Sequence, residues 1–596
     1  MSGHFVNKSG TAGELVSFKK SFEGDEFFLA ERNRHKMDFK QEVIKALHLA
    51  IGDTLTEAAI TKLVETPKDD KMGDYAFPTF ALAKVFHQAP QQIATTLAGK
   101  IDATPFEKVE VKGAYINFFL DKVSFANTVL TTIAKEPLHY GDQQLGSGNV
   151  PIDMSSPNIA KPMSMGHLRS TVIGNALANI LTKTGYTPIK INHLGDWGTQ
   201  FGKLIVAYRK WGSEEDVKRD PIHYLVQYYV RFHKEAETQP ELDEEARAVF
   251  KQLEDGDPEV HQLWSWFREE SLKEFKRIYK ELGIEFDSYK GEAFYNDKMD
   301  AVTDALEQKG LLKESQGAEI VDLSKYDLNP ALIRKSDGAT LYMTRDLAAA
   351  IYRHDQYHFV QSLYVVGNEQ REHFQQLKAV LKEMGYDWAD DIHHIPFGLI
   401  TANGKKLSTR KGNIILLEKV LKDAVVLAKK QIAEKHPDLE NAEQVAHEVG
   451  VGAVVFHDLK NERLDNFDFN LEEVVRFEGE TGPYVQYTNA RANSILKKTD
   501  QKPVAEVALT DPAAWPVLKA LGDYPNVIAR ALREYEPSVI AKYALRLAKA
   551  FNQYYANVKV LVDDAELPAR LAMVKAVSTV LTDALHTLGV GAPAEM

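Results

Sequence analysis

The chain has 596 residues and no cysteine, with 72 Lys plus Arg against 85 Asp plus Glu and a formal net charge of −13. This length corresponds to about three or four domains, and a hydrophobic fraction of 44% is ordinary for a globular protein, which excludes wholesale disorder and fibrous architectures. The absence of cysteine excludes disulfides, thiolate catalysis and Cys-ligated zinc, and the acidic balance argues against sequence-blind binding of a polyanion.

The N-terminal part divides into a leader, a small domain and a linker. Residues 1–36 lack sustained periodicity and are predicted to be a disordered leader, without the basic-then-apolar order of a secretory signal. Residues 37–121 are predicted to form a small α/β domain, with a helix-like run from Phe39 to Ile51 and a strand-like segment from Gly113 to Leu120. Residues 122–148 are predicted to be a linker. The chain has no apolar run of about 18 residues, so we expect a cytoplasmic protein that does not enter a membrane.

The central part alternates short apolar strands with helices, which predicts a Rossmann-like parallel-sheet domain over residues 149–433. A charged helical insertion is expected at about 213–283. Residues 434–596 read almost entirely as helix, with a break near Lys498 to Pro512, and are predicted to form an all-α domain. Four segments are predicted to be buried parallel strands: Val150–Met154, Pro188–Asn192, Leu363–Gly367 and Ile395–Ile400.

A first candidate site follows the first of these strands, in the segment SPNIAKPMSMGHLRST at residues 156–171. Apolar residues recur at four-residue spacing from Leu168, so a helix is predicted to begin near Gly166 or His167. Its free N–H groups would face the carboxyl edge of the sheet, where Gly166 would let a nucleotide approach the backbone and His167 would hydrogen-bond a phosphate. The alternative is a proline-containing loop followed by an ordinary helix start.

A second candidate site follows the last predicted strand, in the segment TANGKKLSTRKG at residues 401–412. It holds Lys405, Lys406, Arg410 and Lys411 without an acid, inside an acidic protein. A cationic loop at a sheet edge suits a polyphosphate, whose charge grows during displacement at phosphorus. Taken alone, a solvated basic loop is the simpler interpretation.

The two segments together resemble the HIGH and KMSKS signatures of class I aminoacyl-tRNA synthetases. The first corresponds to Ser164 to His167 and the second to Lys406 to Arg410. Four further motifs are similar to those of the arginyl-tRNA synthetase family: SPNIAKP at 156–162, NHLGDWGTQFG at 192–202, YMTRD at 342–346 and GPYVQY at 482–487. The resemblance covers about residues 37–596. It implies an N-terminal tRNA-binding domain, a catalytic domain and a DALR-type anticodon-binding domain.

The resemblance implies ATP-dependent ligation of L-arginine to tRNA(Arg) through an arginyl-adenylate, with AMP and pyrophosphate as products. Expected partners are ATP, arginine and tRNA(Arg), with Mg²⁺ carried by ATP because the sequence shows no dedicated Asp/Glu metal cluster. We expect no protein-ligated metal and a monomer. The interval between His167 and Lys406 leaves little room for a large editing insertion, and discrimination by charge removes the need for one.

Two departures from the signatures bear on catalysis. Ser164 stands in place of the first His of HIGH, and Thr409 stands in place of the second Lys of KMSKS. The family often combines the second loss with a Lys ahead of the first signature, and Lys161 occupies that position. The catalytic residues implied are therefore Lys161, His167 and Lys406. The ATP-binding residues implied are Ser164, Gly166, His167, Lys406, Ser408 and Arg410.

Recognition of a guanidinium needs carboxylate and amide acceptors arranged for more than one hydrogen bond. The resemblance implies substrate contacts at Asn158, Glu292, Tyr342, Asp346 and Gln370. Tyr342 and Asp346 are four residues apart, so a helix would place them on one face. Without the family, an ion pair of Asp346 with Arg345 or a solvated helix face is the simpler interpretation.

Residues for tRNA are predicted at both ends of the chain. Tyr484, Tyr487 and Arg491 repeat at helical spacing, and YALR at 543–546 with Phe551, Tyr554 and Tyr555 resembles the DALR-type module. In the N-terminal domain, Tyr115 would stack on a base and Asn117 would hydrogen-bond it. Core packing is the competing explanation for all of these aromatic side chains.

Two alternative functions remain open at this point. One is another class I synthetase or a HIGH-type nucleotidyltransferase, which would keep the phosphate-binding segments and change the pocket. The other is a catalytically silent tRNA-binding or regulatory paralogue. The joint presence of Lys161, His167, Lys406 and Asp346 favours an active enzyme over a silent copy.

Overall fold

The computed structural model of the chain describes residues 39–67, 69–335, 342–402, 405–406 and 415–596. In chain order, its helices are α1 (Phe39–Ile51), α2 (Glu57–Leu63), α3 (Ala83–Phe86), α4 (Pro90–Ala98), α5 (Lys122–Lys135), α6 (Met165–Lys183), α7 (Gln200–Trp211), α8 (Glu214–Arg219), α9 (Pro221–Ala236), α10 (Glu241–Glu254), α11 (Pro258–Glu281), α12 (Met299–Gln308), α13 (Tyr342–Tyr357), α14 (Arg371–Glu383), α15 (Leu417–Lys435), α16 (Ala442–Lys460), α17 (Leu471–Val474), α18 (Gly482–Lys497), α19 (Trp515–Glu534), α20 (Ser538–Asn557) and α21 (Leu567–Thr587).

The strands are shorter and fewer. In chain order they are β1 (Tyr75–Pro78), β2 (Phe106–Lys112), β3 (Tyr115–Leu120), β4 (Asn149–Asp153), β5 (Thr187–Ile191), β6 (Leu312–Ser315), β7 (Ala318–Val321), β8 (Ala331–Arg334), β9 (Ser362–Gly367), β10 (Ile392–Phe397), β11 (Ile400–Ala402), β12 (Lys405–Lys406) and β13 (Phe467–Asp468).

Contacts divide the chain into two compact units, residues 1–131 with 506–511 and residues 132–505 with 512–596. In the first unit, β3 pairs with both β1 and β2 in an antiparallel sheet. Helix α1 contributes buried Val43, Ile44 and Leu47 to the core of this unit, because apolar residues at that spacing share one helix face. The helix predicted from Phe39 to Ile51 is confirmed, and the range predicted to be a linker begins with α5.

The second unit is built on a parallel sheet with strand order β10-β9-β4-β5. Successive strands add on one side of β4 and then on the other, so β4 and β9 form the switch point at which the connections diverge. The expected fold class is thereby confirmed. Helix α6 returns from β4 and is buried along most of its length, including Leu168, Val172, Ala176 and Ile180.

The last predicted strand, Ile395–Ile400, was placed too late in the chain. Residues 392–397 form β10, and Ile400 belongs to a separate small sheet of β11, β12 and β13. Gly398 ends the parallel pairing: its N–H donates to the carbonyl of Arg463 at 2.8 Å, and a Cβ on it would lie 2.6 Å from two backbone carbonyls. The antiparallel sheet β6-β7-β8 was not predicted, because its strands have only four residues each.

Helices α8 to α11 lie within the range predicted as the insertion, and α16 to α21 lie within the range predicted as the all-α domain. The expected break in the latter is present between Lys497 and Trp515, apart from a short turn at Pro512–Ala514. Arg169 of α6 connects the parallel-sheet region to the C-terminal helices, because its Nε lies 3.3 Å from Asp458 of α16 and its guanidinium lies over the ring of Phe467. Burial raises the pKa of Asp458 to about 6 despite this partner.

Candidate functional site

The predicted signature residues lie at the carboxyl edge of the parallel sheet, at its switch point. Strand β4 ends at Asp153, which is level with Tyr364 of β9. The chain then forms the loop 154–164 and enters α6 at Met165. An open α/β sheet binds its ligands at this edge, so the loop and the first turn of α6, residues 154–167, are named the signature segment.

The signature segment has a strained backbone that other parts of the protein hold in place. Ser155, Ser156 and Ala160 have φ values of 71°, 48° and 57°, which are unfavourable for residues with a Cβ. The N–H of Ser155 donates to Ser170 Oγ at 2.8 Å, and the N–H of Ala160 donates to Ser271 Oγ at 3.0 Å. Such strain persists only where neighbouring structure enforces it, which is characteristic of ligand-binding loops.

His167 is held by the residue that begins its own helix. The N–H of Ser164 donates to His167 Nδ1 at 3.0 Å. Burial lowers the pKa of His167, and the positive charge of Lys161 lowers it further. A neutral ring that accepts at Nδ1 carries its proton on Nε2, so His167 presents a neutral N–H donor.

Lys161 is the cation of the signature segment. Its side chain is half-buried, and burial lowers the pKa of its ammonium. None of the acids in the described part of the chain forms an ion pair with it. Gly166 is exposed in the first turn of α6, where an added Cβ would meet only Ser164 Oγ, at 3.6 Å. An uncompensated cation beside an open helix start is suited to an anion.

The second signature is joined to the first through backbone pairing. Beyond the β11–β12 hairpin, the chain returns so that the N–H of Met165 donates to the carbonyl of Ile415 at 3.2 Å. The N–H of Leu417 donates to the carbonyl of Met163 at 3.0 Å. Ser408, Arg410 and the side chain of Lys406 lie outside the described residues. The structure therefore brings residues 415–417, which follow the second signature in the chain, to the start of α6.

Four carboxylates are grouped around His193 and Glu292, next to the signature segment. They are named the acidic pocket: Asp153, Asp196, Glu292 and Asp346. His193 interacts with Asp153, Asp196 and Asp346, and Glu292 interacts with Asp196 and Asp346. Ser156 of the signature segment donates to Asp153 at 2.9 Å.

Asp153 and Asp196 have strong internal partners. Asp153 accepts from Arg353 at 2.7 Å, and Asp196 accepts from Arg268 Nε at 2.7 Å and from the N–H of Ala293 at 2.9 Å.

Asp346 lies on α13, with its side chain 29% exposed. It forms an ion pair with His373 Nε2 at 2.6 Å, so the sequence-based alternative of a pair with Arg345 is wrong. Burial alone would raise the pKa of Asp346, but the hydrogen bond and charge of His373, aided by His193 and Arg353, hold it below its ordinary value. Asp346 is therefore an ionised acceptor.

Glu292 follows Gly291 in a short 3-10 helix, and its N–H donates to the carbonyl of Leu194 at 2.9 Å. Burial raises the pKa of Glu292 to about 7, and Asp196 and Asp346 add to the rise, whereas Arg345 opposes it. NH1 of Arg345 lies 3.9 Å from Glu292 Oε2. Of the four carboxylates, Glu292 has the most distant cation.

The remaining predicted pocket residues are distributed around these acids. Asn158 is bridged to Gly195, and a Cβ on that glycine would collide with its amide at 1.9 Å. Tyr342 is the first residue of α13 and is 69% exposed. Gln370 is exposed in the turn that follows β9. Glu292 and Asp346 are close enough for their charges to interact, Asn158 lies beside Gly195, and Tyr342 and Gln370 are exposed.

Sequence reasoning did not assign roles to the basic residues around the acidic pocket. These are Arg268, Arg345, Arg353, His193 and His373. His193 and Asp196 lie within the quoted motif at 192–202, which was the available signal. Arg268 and His373 lie on other helices, α11 and α14, and Arg353 lies on α13 two turns beyond Asp346, and no local pattern marks them.

The predicted tRNA residues of the first unit lie on β3. Tyr115 is half-buried and packs edge-on against Phe80, which is 56% exposed, with ring centroids 5.7 Å apart. Asn117 is fully buried, and neither polar atom of its amide has a partner in the part of the chain that the structure describes. An orphaned amide of this kind is costly and indicates a position kept for a reason other than packing.

The predicted anticodon residues lie along α18. Tyr484 OH accepts from Asn552 at 3.0 Å, and the guanidinium of Arg491 lies between the rings of Tyr487 and Tyr555 at 5.0 and 5.4 Å. Among the other aromatic residues of the quoted module, Tyr543, Phe551 and Tyr554 are buried, as core packing predicts, and Tyr555 is 41% exposed. A cation sandwiched between aromatic faces is suited to unpaired bases.

The described residues also bear on metal ions and membranes. Across the described ranges, no group of three or more His, Asp or Glu side chains is arranged to hold a metal ion. Within the same ranges, no helix has the length and apolar character needed to cross a membrane.

Three family models together match almost all of the chain beyond the leader. Residues 37–120 match the arginyl tRNA synthetase N terminal domain, residues 130–471 match tRNA synthetases class I (R), catalytic domain, and residues 485–596 match the DALR anticodon binding domain.

Similar proteins agree with these family models. The chain is 69% identical to an arginine–tRNA ligase of Latilactobacillus sakei and 68% identical to one of Pediococcus pentosaceus, over 94% of this chain and all of each relative. Its structure is similar to that of the Thermus thermophilus arginyl-tRNA synthetase, with a TM-score of 0.79 at 25% identity, covering 94% of this chain and 100% of that one.

Proposed function

The chain belongs to the arginyl-tRNA synthetase family of class I enzymes and charges tRNA(Arg) with arginine in translation, and we propose that the signature segment and the acidic pocket carry this reaction. The observation that supports the proposal is the placement of an uncompensated cation and an acidic network at one sheet edge. The first suits a triphosphate and the second suits a guanidinium.

The triphosphate of ATP is assigned to the signature segment and to the second signature. Gly166 would admit the nucleotide to the open start of α6, where Ser164 and the Nε2–H of His167 donate to phosphate oxygens. Lys161 would neutralise charge at the α-phosphate. It would replace the second lysine of the KMSKS signature, whose position is occupied by Thr409 in this chain. Lys406, Ser408 and Arg410 would complete the contacts, as the family resemblance implies.

The substrate arginine is assigned to the acidic pocket. Asp346 and Glu292 would accept from the guanidinium, whereas Asn158, Tyr342 and Gln370 would complete its recognition. A lysine or an uncharged analogue would leave carboxylate acceptors unpaired, and this costs several kcal/mol, by the same rule that lets polar sites reject analogues without editing.

The proposed chemistry has two steps. The carboxylate of arginine attacks the α-phosphorus of ATP, the bond to the bridging oxygen breaks, and pyrophosphate leaves with its electron pair. A ribose hydroxyl at the end of tRNA then attacks the carbonyl carbon of the adenylate, loses its proton and displaces AMP. Lys161 and His167 would act on the first step through charge and a fixed donor. Mg²⁺ typically binds through phosphates and one or two carboxylates, so we assign it to the nucleotide.

Contacts with tRNA(Arg) are assigned to both ends of the chain. Arg491, Tyr487 and Tyr484 would meet unpaired anticodon bases through stacking and hydrogen bonds. Tyr115 would stack on a base at the outer corner of the tRNA, whereas the hydrogen bond predicted from Asn117 would require its buried amide to become exposed. The monomeric state and the cytoplasmic location predicted from the sequence stay predictions.

Charging of total tRNA with radiolabelled arginine, in the presence of ATP and Mg²⁺, tests the proposal directly. We expect arginine to be esterified to tRNA, with AMP and pyrophosphate produced in equal amounts, and no charging with lysine. A silent tRNA-binding paralogue would bind tRNA and leave ATP unconsumed. Equal charging with lysine would contradict the assignment of the acidic pocket.

A further inference from the structure

The four carboxylates of the acidic pocket are not equally neutralised. Three have a basic partner at hydrogen-bonding distance: Asp153 with Arg353 at 2.7 Å, Asp196 with Arg268 at 2.7 Å and Asp346 with His373 at 2.6 Å. Among the described residues, the ion-pair partner of Glu292 is Arg345, at 3.9 Å. Any charge that the pocket leaves for a substrate is therefore concentrated on Glu292.

Arg345 is confined but makes few close contacts. Its side chain is 12% exposed and that of Glu292 is 17% exposed. One guanidinium nitrogen lies 3.4 Å from Asn296 Oδ1, and the buried Nε has no hydrogen-bonding partner within the described ranges. A buried guanidinium normally forms several short hydrogen bonds, so the main effect of Arg345 here is its charge.

We propose that Arg345 is a positioning residue that keeps the Glu292 carboxylate ionised for the substrate guanidinium without occupying it. The distance of 3.9 Å is short enough for attraction between charges and too long for a direct hydrogen bond. The carboxylate oxygens of Glu292 therefore stay available. This inference rests on the proposed assignment of Glu292 to the arginine pocket.

The groups that face Glu292 have opposing effects on its charge. Burial, Asp196 and Asp346 favour the protonated acid, whereas Arg345 and the backbone N–H of Trp197 favour the carboxylate. Asp196 is itself neutralised by Arg268, and Asp346 by His373. With a pKa of about 7, Glu292 is protonated in part of the molecules at neutral pH, so arginine binding should release a proton.

Loss of Arg345 should move this equilibrium toward the protonated acid. In Arg345→Met, we expect the KM for arginine at pH 7 to rise by about fivefold if the pKa of Glu292 rises from about 7 to about 8. The rise should vanish at high pH, where Glu292 ionises in both proteins. The kcat at saturating arginine and the KM for ATP should stay unchanged.

The measurement is the initial rate of tRNA charging from pH 6 to pH 8.5, with ATP and tRNA saturating. Wild type should show a KM for arginine that falls with pH and then levels, and Arg345→Met should level at a higher pH. Arg345→Lys keeps the charge and should restore most of the wild-type profile. Arg334→Met is the matched control, because it removes another arginine paired with a glutamate, Glu319, outside the pocket. Its profile should follow wild type.

Calorimetry of arginine binding in two buffers with different ionisation enthalpies counts the released protons. At pH 7 we expect about half a proton from wild type, more from Arg345→Met, and none from Glu292→Gln. If Arg345→Met does not fold, Arg345→Gln removes the same charge while keeping a polar side chain, and the same increase in proton release is expected from it.

The outcomes separate the two proposals. If Glu292→Gln leaves the KM for arginine unchanged, the assignment of Glu292 to the pocket is wrong. If Glu292→Gln raises the KM but Arg345→Met keeps the wild-type pH profile and proton release, the role of Arg345 is wrong.

Discussion

The signature segment and the acidic pocket lie at the same sheet edge and have opposite electrostatic properties. The signature segment presents one ammonium, Lys161, without an acidic partner among the described residues, and a neutral imidazole on His167. The acidic pocket presents four carboxylates, and each has a basic side chain within 3.9 Å. The signature segment therefore has a positive charge without an acidic partner among the described residues, whereas the negative charge of the acidic pocket is nearly balanced.

This difference follows from the ligands that we assign to the signature segment and to the acidic pocket. A triphosphate arrives with several negative charges and with magnesium, so a single cation and a few N–H donors are sufficient for its alignment. A guanidinium carries one charge and needs acceptors fixed in direction, and four close carboxylates would otherwise protonate one another. Internal basic residues therefore keep most of the pocket ionised before the substrate binds, and Glu292 is ionised in part at neutral pH.

The largest expected effect comes from removing the unmatched charge. In Lys161→Ala, we expect the rate of ATP–pyrophosphate exchange, measured with tRNA and arginine present, to fall by about 100- to 1000-fold, as for loss of one transition-state donor. The KM for arginine should change little. Lys161→Arg is the control that keeps the charge. An unchanged exchange rate in Lys161→Ala would remove this residue from catalysis.

A smaller effect is expected where the charge is already balanced. In Asp346→Asn, the loss of a charged acceptor should raise the KM for arginine by about 10- to 100-fold, which corresponds to roughly 1.5–3 kcal/mol. The KM for ATP should stay at its wild-type value. His373→Gln keeps a donor to Asp346 and should give a weaker change in the same direction. A change in the KM for ATP of similar size would contradict a separate pocket.

The neutrality of His167 predicts a pH response opposite in kind to that of Glu292. Because burial lowers the pKa of His167, its ring is mostly neutral at neutral pH. The kcat at saturating arginine should therefore stay flat from pH 7 to pH 8. His167→Ala should lower kcat by about tenfold or less, as for one neutral hydrogen bond. A kcat that rises through pH 7 in wild type and stays flat in the variant would refute a neutral donor.

The smallest expected effect comes from a residue outside the signature segment and the acidic pocket. In Arg491→Gln, loss of the sandwiched cation should raise the KM for tRNA by about two- to fivefold, as for an exposed cation–π contact. The KM for arginine should be unaffected, and Arg530→Gln, an exposed arginine paired with Glu534, is the matched control. Equal changes in both variants would indicate a general effect of charge.

Local helices and strands, and the chemistry of the signatures, can be predicted from the amino-acid sequence alone. Helical spacing placed α1 within its observed bounds, and the strand–loop–helix pattern located the start of α6 to within two residues. These features depend on neighbours in the chain, so periodicity and turn residues are sufficient to reveal them. The resemblance of the motifs to those of arginyl-tRNA synthetases led to the family that the comparisons then showed.

The pairing of charged side chains, in contrast, can be seen only in the tertiary structure. Asp346 is paired with His373 of α14 rather than with its neighbour Arg345, and Arg345 faces Glu292, more than fifty residues away in the chain. Adjacent residues on a helix point in different directions, so the nearest residue in sequence is seldom the nearest charge in space. The end of β10 at Gly398 likewise depends on a backbone contact with Arg463, which no local pattern records.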